Sequence, residues 1–184
     1  MTLILASTSP RRKTLLEEAG IHFKTAKPAF EESTLRVSSP EIYVMQLSYQ
    51  KAMSVQRRED DVILASDTVV ALGDTILGKP LNRQDAERML NSLRGKEHHV
   101  LTGYAILGKE KYVDYDVATV SFEDFSEEQL KAYLDKNTYG DKAGAYGFQE
   151  VESFEITVDG DPNTVIGLPV AKVLEHLKGE SIGE

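Results

Sequence analysis

The chain has 184 residues, 41% of them hydrophobic and 28% charged, which is the composition of a globular protein long enough to close a core. Its net charge of −9 argues against a nucleic-acid partner, but a local cluster of cations can still bind a small anion. Without cysteine the chain forms neither disulfides nor thiolate metal sites. Its N-terminal apolar run is too short for a signal peptide or a membrane span, so we expect a single cytoplasmic domain over residues 1–184 and no membrane partner.

The N-terminal stretch LILASTSPRR predicts a strand that leads into a helix. LILAS has the continuous apolar character of a strand covered on both faces. Ser9 is suited to cap a helix with Pro10 at its first position, and Gly20 is suited to close it.

A second helix and a second strand follow. Ser39-Pro40 repeats the start signal and predicts a helix from about Pro40 to Arg57. Its apolar residues at helical spacing are Ile42, Met45, Tyr49, Ala52 and Met53. VILAS, at 62–66, predicts a buried strand that continues extended to a turn at Gly73-Asp74.

The second half of the chain alternates helices and strands. QDAERMLNSLRG predicts a helix that ends at Gly95, HHVLTGYAIL and DVATVSF predict two antiparallel strands, and Ser126 with Gln129 forms a capping box. A glycine-rich segment, YGDKAGAYGFQE, precedes the strand FEITV and the closing helix GLPVAKVLEHLK. This order predicts an α/β protein with a mixed sheet flanked by helices.

Two arginines stand at the start of the first helix, where the helix dipole disfavours cations. Backbone N–H groups, hydroxyls and the guanidinium groups of Arg11 and Arg12 together suit a phosphate. The alternative is a solvated helix start. On the dipole argument alone, replacing either arginine leaves stability unchanged or slightly higher.

Asp67 follows a buried strand, a position typical of metal ligands and general bases, although aspartate also forms turns. Lys51 and Lys79 lie in apolar surroundings, and the alternative for both is a side chain that reaches into solvent. Glu31 and Glu32 form a loop pair that, with Asp67, could hold one or two hard divalent cations. His98 and His99 would point to opposite faces of a strand, so we interpret this pair as structural.

The chain resembles the Maf family of nucleoside triphosphate pyrophosphatases nearly end to end. LILASTSPRR, ASDTVV, GKP, GDKAGAYGFQ and NTVIGLP match the family's signatures in order. The resemblance implies a twisted mixed sheet, two lobes around a deep cleft, and the homodimers frequent in the family. Residues on positions of the family's polar cleft are Ser7, Arg11, Arg12, Glu31, Lys51, Asp67, Lys79 and Gln149.

The implied reaction is attack of water on the α-phosphorus of a nucleoside triphosphate, with pyrophosphate as the leaving group. A triphosphate needs several cations and a divalent metal, Mg²⁺ or Mn²⁺. Glu31, Glu32 and Asp67 are the candidate metal ligands, and Asp67 is the candidate base.

Three residues match the subgroup of the family that prefers dTTP and UTP. These are Arg12, Thr68 and Gln149, whereas the subgroup acting on 7-methyl-GTP has Trp, Gln and Glu. A glutamine amide can match the O4 and N3–H edge of uracil or thymine. The alternative function is a nucleotide-binding regulator of cell division that acts through protein contacts.

Overall fold

The computed structural model describes residues 2–30, 39–151 and 153–180. Within these residues the strands are β1 (Leu3–Ala6), β2 (Lys24–Ala26), β3 (Val62–Leu72), β4 (Thr75–Leu77), β5 (Glu97–Leu107), β6 (Lys111–Phe122) and β7 (Ile156–Asp159). The helices are α1 (Pro10–Glu18), α2 (Pro40–Met53), α3 (Arg83–Leu93), α4 (Glu127–Asp135), α5 (Pro162–Ile166) and α6 (Val170–Leu177). Single 3-10 turns span Ala143–Ala145 and Phe148–Glu150.

The strands form one mixed sheet of seven strands in the order β2-β1-β3-β5-β6-β7, with β4 paired to β3. β1 runs parallel to β2 and β3, whereas the β3–β4 and β6–β7 pairs are antiparallel. β5 and β6 are sheet neighbours joined by residues 108–110 only, and so short a connection requires antiparallel strands. The predicted fold class, a mixed sheet flanked by helices, is confirmed.

The strand order around β1 creates a topological switch point. The chain leaves β1 for β2 on one side and returns to β3 on the other. Because crossovers between parallel strands are right-handed, α1 and α2 lie on opposite faces of the sheet. Ligands of open α/β sheets bind at the carboxyl ends of the strands at such a point.

The chain divides into two compact units. Unit 1 comprises Met1–Thr68, Thr102–Asp116 and Gly167–Glu184, and unit 2 comprises Val69–Leu101 and Val117–Ile166. Part of the core of unit 1 is made of small and aliphatic side chains from β1, α2, β3 and β5. Unit 2 has an aromatic core that includes Phe122, Phe125, Tyr133, Tyr146 and Phe154. That residues 1–184 act as a single domain stays a prediction.

Local signals located most helix ends correctly. α1 begins at Pro10, Gly20 follows α1 with a φ of +72°, and the Ser126–Gln129 capping box is present at α4. Ser9 is the N-cap residue of α1, as predicted, but its side chain makes no capping hydrogen bond. The sequence analysis did not predict the short elements β2, β4 and α5.

The prediction for α2 was wrong in length, and of the apolar residues at helical spacing Ala52 is buried whereas Ile42 and Met53 are exposed. α2 ends at Met53 rather than near Arg57, whose guanidinium donates to the carbonyls of Asp61 and Leu107 at 3.0 and 2.8 Å. Ile42 and Met53 are 43% and 53% exposed. The residues that α2 buries are Val44, Leu47, Ser48 and Ala52.

A close backbone approach explains which face of α2 is buried. A Cβ atom at Gly103 of β5 would lie 2.3 Å from the carbonyl oxygen of Val44. α2 therefore lies directly on the β5 backbone at this point, and only a glycine leaves room for it. Within the described ranges no helix is both long and apolar enough to cross a membrane.

Candidate active site

Ser7 organises the turn between β1 and α1. Its side chain is buried, and its Oγ accepts hydrogen bonds from the Ser9 backbone N–H at 3.1 Å and from Arg12 Nη1 at 3.4 Å. The hydroxyl that holds the SPRR turn is therefore that of Ser7, not the predicted cap at Ser9.

Arg12 is fixed by partners from distant parts of the chain. Its Nε donates to the carbonyl oxygen of Gly167 at 2.8 Å, and its Nη2 donates to Thr68 Oγ1 at 3.3 Å. These bonds define the plane of the guanidinium group. We therefore now expect loss of Arg12 to lower stability, because the contacts that its removal breaks should contribute more than the unfavourable dipole interaction costs. Arg11, one residue earlier on α1, is half-buried.

Asp67 lies inside β3, which continues to Leu72, so it is not a turn residue. Its Oδ2 forms an ion pair with Lys51 Nζ of α2, and each side chain is 13% exposed. Its Oδ1 accepts from the Thr68 backbone N–H at 2.9 Å. The solvent-directed alternative for Lys51 was therefore wrong, and the carboxylate is held at both oxygens.

Asp67 and Thr68, which are adjacent on β3, contact side chains of two different helices. Successive residues of a strand face opposite sides, and α1 and α2 lie on opposite faces of the sheet. Accordingly Asp67 bonds to Lys51 of α2, while Thr68 bonds to Arg12 of α1. β1 ends at Ala6, so these residues come just beyond its carboxyl end, at the switch point.

Three residues that hydrogen-bond with Arg12, with Thr68 or with each other were not predicted from the sequence. Thr102 Oγ1 lies 2.8 Å from Thr68 Oγ1, and Ser66 Oγ donates to the Gly167 carbonyl oxygen at 3.1 Å. Gly167 has a φ of +130°, which essentially only glycine adopts, and it lies in the NTVIGLP signature, which could have marked it. No local pattern distinguishes Thr102 within β5.

The remaining predicted residues lie elsewhere. Lys79, after β4, and Gln149, on the turn Phe148–Glu150, are exposed residues of unit 2. Phe148 and Val151, on either side of Gln149, help to line a cavity of about 610 Å³. Glu31 and Glu32 lie outside the described residues. That these residues share a site with Arg12 and Asp67 stays a prediction.

The histidine pair has the predicted alternating orientation. His99 is exposed, whereas His98 is 1% exposed and its Nε2 lies 2.7 Å from the Tyr146 hydroxyl. Burial disfavours the charged imidazole and lowers the pKa of His98 to about 4. His98 is therefore neutral at neutral pH.

The described residues offer few ligands for a divalent cation. In the described part of the chain, no group of three or more His, Cys, Asp or Glu side chains is placed to hold a metal. Mg²⁺ in nucleotide sites takes one or two carboxylates and completes its shell with water and phosphate oxygens. A single carboxylate near the carboxyl end of β1, such as Asp67, fits that mode of binding.

Cations and a fixed carboxylate at the switch point of an open sheet are typical of α/β proteins that bind polar ligands at their strand ends. A sequence model described as Maf-like protein matches residues 2–180. The chain belongs to the Maf family.

Relatives cover almost the whole chain. A dTTP/UTP pyrophosphatase of Clostridioides difficile (strain 630) is 39% identical over 183 residues, 97% of this chain and 94% of the relative. Another of Bacillus cereus (strain G9842) is 44% identical over 179 residues, 96% of this chain and 94% of the relative. The structure of the Staphylococcus aureus Ham1 protein shares the fold, with a TM-score of 0.54 and 12% identity over 98% of this chain and 100% of that one.

Proposed function

We propose that the protein is a nucleoside triphosphate pyrophosphatase that hydrolyses dTTP and UTP to the monophosphate and pyrophosphate. The observation that carries the proposal is the Asp67 carboxylate, held by Lys51 and by the Thr68 backbone at the switch point of the sheet. The names of the relatives, which match along nearly the whole chain, support the choice of substrates.

In the proposed reaction, a water oxygen forms a bond to the α-phosphorus and the bond from the α-phosphorus to the bridging oxygen breaks. Asp67 accepts the proton of that water, and pyrophosphate leaves. The contact with the Thr68 N–H fixes the direction of the carboxylate, which is what a general base requires. An ammonium group has three donors, so Lys51 can hold Asp67 and contact a phosphate oxygen at the same time.

Further cations of the site would neutralise the triphosphate. Arg11, Arg12 and Lys79 are the proposed partners of its phosphate oxygens, and Ser7 holds the turn that presents the two arginines. Asp67, with Glu31 and Glu32, would hold a divalent cation, Mg²⁺ or Mn²⁺. When bound, such a cation neutralises charge that develops on the phosphoryl oxygens.

The preference for uracil and thymine rests on Arg12, Thr68 and Gln149. The hydrogen bond between Arg12 and Thr68 places the two side chains next to each other, which supports the proposal that both contact the same part of the substrate. Gln149 is the residue proposed to read the base edge, because its amide can donate to O4 and accept from N3–H.

The test is product analysis with purified protein, Mg²⁺ and a panel of dTTP, UTP, CTP and 7-methyl-GTP. We expect UMP and pyrophosphate from UTP, and dTMP and pyrophosphate from dTTP. Release of orthophosphate with a nucleoside diphosphate would contradict the proposed bond cleavage. Tight binding without turnover would instead support the alternative, a nucleotide-binding regulator of cell division. We also propose a cytoplasmic homodimer, on the resemblance to the family, and size-exclusion chromatography with light scattering tests the dimer.

A further inference from the structure

The segment Asp141–Glu150, which carries Gln149, has a backbone that needs support from outside. Gly144 has a φ of +67° and Ala145 a φ of +64°. The left-handed conformation is ordinary for glycine but rare for alanine, whose Cβ crowds the backbone. Ala145 is completely buried, so contacts with the surrounding protein must hold this conformation.

One hydroxyl group holds the backbone on both sides of Tyr146. Tyr133, a buried residue of α4, donates from its Oη to the Ala145 carbonyl oxygen at 3.2 Å and accepts from the Gly147 N–H at 3.3 Å. Both backbone groups are thereby satisfied in the core of unit 2. A phenylalanine at 133 would keep the ring and remove both bonds.

The side chain of Tyr146 is held separately. Its hydroxyl lies 2.7 Å from Nε2 of His98 on β5, and the two rings meet edge to face with centroids 5.6 Å apart. Since burial keeps the pKa of His98 at about 4, the imidazole stays neutral and this contact persists at neutral pH.

A third side chain holds the end of the segment. Lys142, which is 5% exposed, places its Nζ 2.9 Å from the Asp141 carboxylate and 3.2 Å from the Glu150 carboxylate. A Cβ atom at Gly147 would lie 2.7 Å from Lys142 Cε, so the lysine stem packs on the Gly147 backbone. Tyr133 and His98 thus hold residues 145, 146 and 147 from outside the segment, and Lys142 ties its two ends together from within.

Gln149 itself is held differently. It is exposed, and its side chain makes no hydrogen bond to any other residue that the structure describes. Its location is therefore set through the backbone on either side. We propose that Tyr133 and His98 are positioning residues that fix this backbone and so place Gln149 where it distinguishes uracil from cytosine. This inference rests on the proposed function.

The first test compares Tyr133→Phe with the matched control Tyr139→Phe. Tyr139 is also a largely buried tyrosine of the unit 2 core, but its hydroxyl bonds to none of the described residues. Because Gln149 contacts the base before and during the reaction alike, Tyr133→Phe should raise KM for UTP about tenfold and change kcat less than about twofold. The ratio of kcat/KM for UTP over CTP should fall about fivefold, and Tyr139→Phe should change neither quantity. An unchanged ratio in Tyr133→Phe would overturn the inference.

A double-mutant cycle separates positioning from a general structural effect. In a Gln149→Ala background, Tyr133→Phe should no longer change KM for UTP, because the residue it positions is gone. An equal rise of KM in both backgrounds would overturn the inference. Tyr146→Phe, which removes the contact with His98 and keeps the ring, should reproduce the effects of Tyr133→Phe.

The proposed function and this inference fail in different ways. A wild-type protein that hydrolyses neither UTP nor dTTP would overturn both. A wild-type protein that hydrolyses UTP, combined with additive effects in the cycle, would overturn only the positioning role.

Discussion

Replacing Arg12 by alanine should destabilise the protein, although it removes a cation from a helix N-terminus. The strong bond lost is that from Nε to the Gly167 carbonyl at 2.8 Å, while those to Ser7 and Thr68 are long, at 3.4 and 3.3 Å. We assign about 1.5–3 kcal/mol to the first and about 0.5 kcal/mol to each of the others. Removing the cation from the helix N-terminus stabilises the protein by about 0.3–1 kcal/mol.

The acceptors left behind limit the cost. Each keeps another partner, since Gly167 O still accepts from Ser66, Thr68 still bonds to Thr102, and the Ser7 hydroxyl still accepts from the Ser9 backbone. None of these three acceptors is orphaned, so the net loss from these contacts should be about 2 kcal/mol. For a chain of this length that corresponds to a fall in Tm of roughly 4–8 °C.

Lys13→Ala is the matched control. Lys13 is a half-buried cation on the next residue of α1, and its side chain bonds to none of the described residues. Its removal relieves the same unfavourable interaction with the helix dipole and breaks no hydrogen bond or ion pair to a described residue, so Tm should hold or rise slightly. Thermal unfolding followed by circular dichroism measures both variants. Equal shifts of the same sign in the two variants would show that the Arg12 contacts contribute nothing to stability.

Three further outcomes are expected. Asp67→Asn should lower kcat about 10²–10⁴-fold and leave UTP affinity within about tenfold, and a normal kcat in steady-state assays would exclude it as the base. Gly167→Ala should lower both Tm and kcat/KM, because its φ of +130° disfavours alanine and the new Cβ would lie 3.4 Å from the Arg12 and Thr68 side chains. The control Gly20→Ala, at a φ of +72° and with no atom within 4 Å of the new Cβ, should lower Tm alone. Burial lowers the pKa of His98 from 6.5 to about 4, so the unfolded chain binds the proton more tightly. Stability should therefore fall by up to about 3 kcal/mol as the pH drops from 6.5 to 4. When the free energy of unfolding is measured in urea across that pH range, His98→Phe should lack this pH-dependent fall in stability and His99→Phe should retain it.

Features that depend on a few neighbouring residues could be predicted from the sequence. The first residue of α1, the turn at Gly73-Asp74 and the capping box at Ser126 are all set by side chains within four positions of each other. The capping hydrogen bond expected from the Ser9 hydroxyl is absent, and in the same turn the hydroxyl of Ser7, two residues earlier, accepts from the Ser9 backbone N–H. Here two serines satisfy the same pattern, and only packing decides between them.

Features that depend on long-range contacts could not be predicted. Gly167 meets Arg12 across 155 positions, and Thr102 meets Thr68 across 34, so no sequence window contains both partners. The same holds for the buried face of α2, because its orientation depends on Gly103 in a different strand. Asp67 was singled out because it follows a buried run of residues and Lys51 because of its apolar surroundings, but only the folded chain shows that they pair.

Gly103 lets α2 approach β5 closely and so helps to place the ion pair between Lys51 and Asp67. Any side chain there would push α2 outward at Val44, since a Cβ would already lie 2.3 Å from that carbonyl oxygen. Lys51 lies on the same rigid helix seven residues further along, at about 10 Å by helical rise. Tilting α2 would therefore swing the Lys51 ammonium away from Asp67. In a saturation mutagenesis screen for turnover, position 103 should tolerate substitution as poorly as position 67, although the atoms nearest to a Cβ at 103 belong to the backbone of Val44 and Met45.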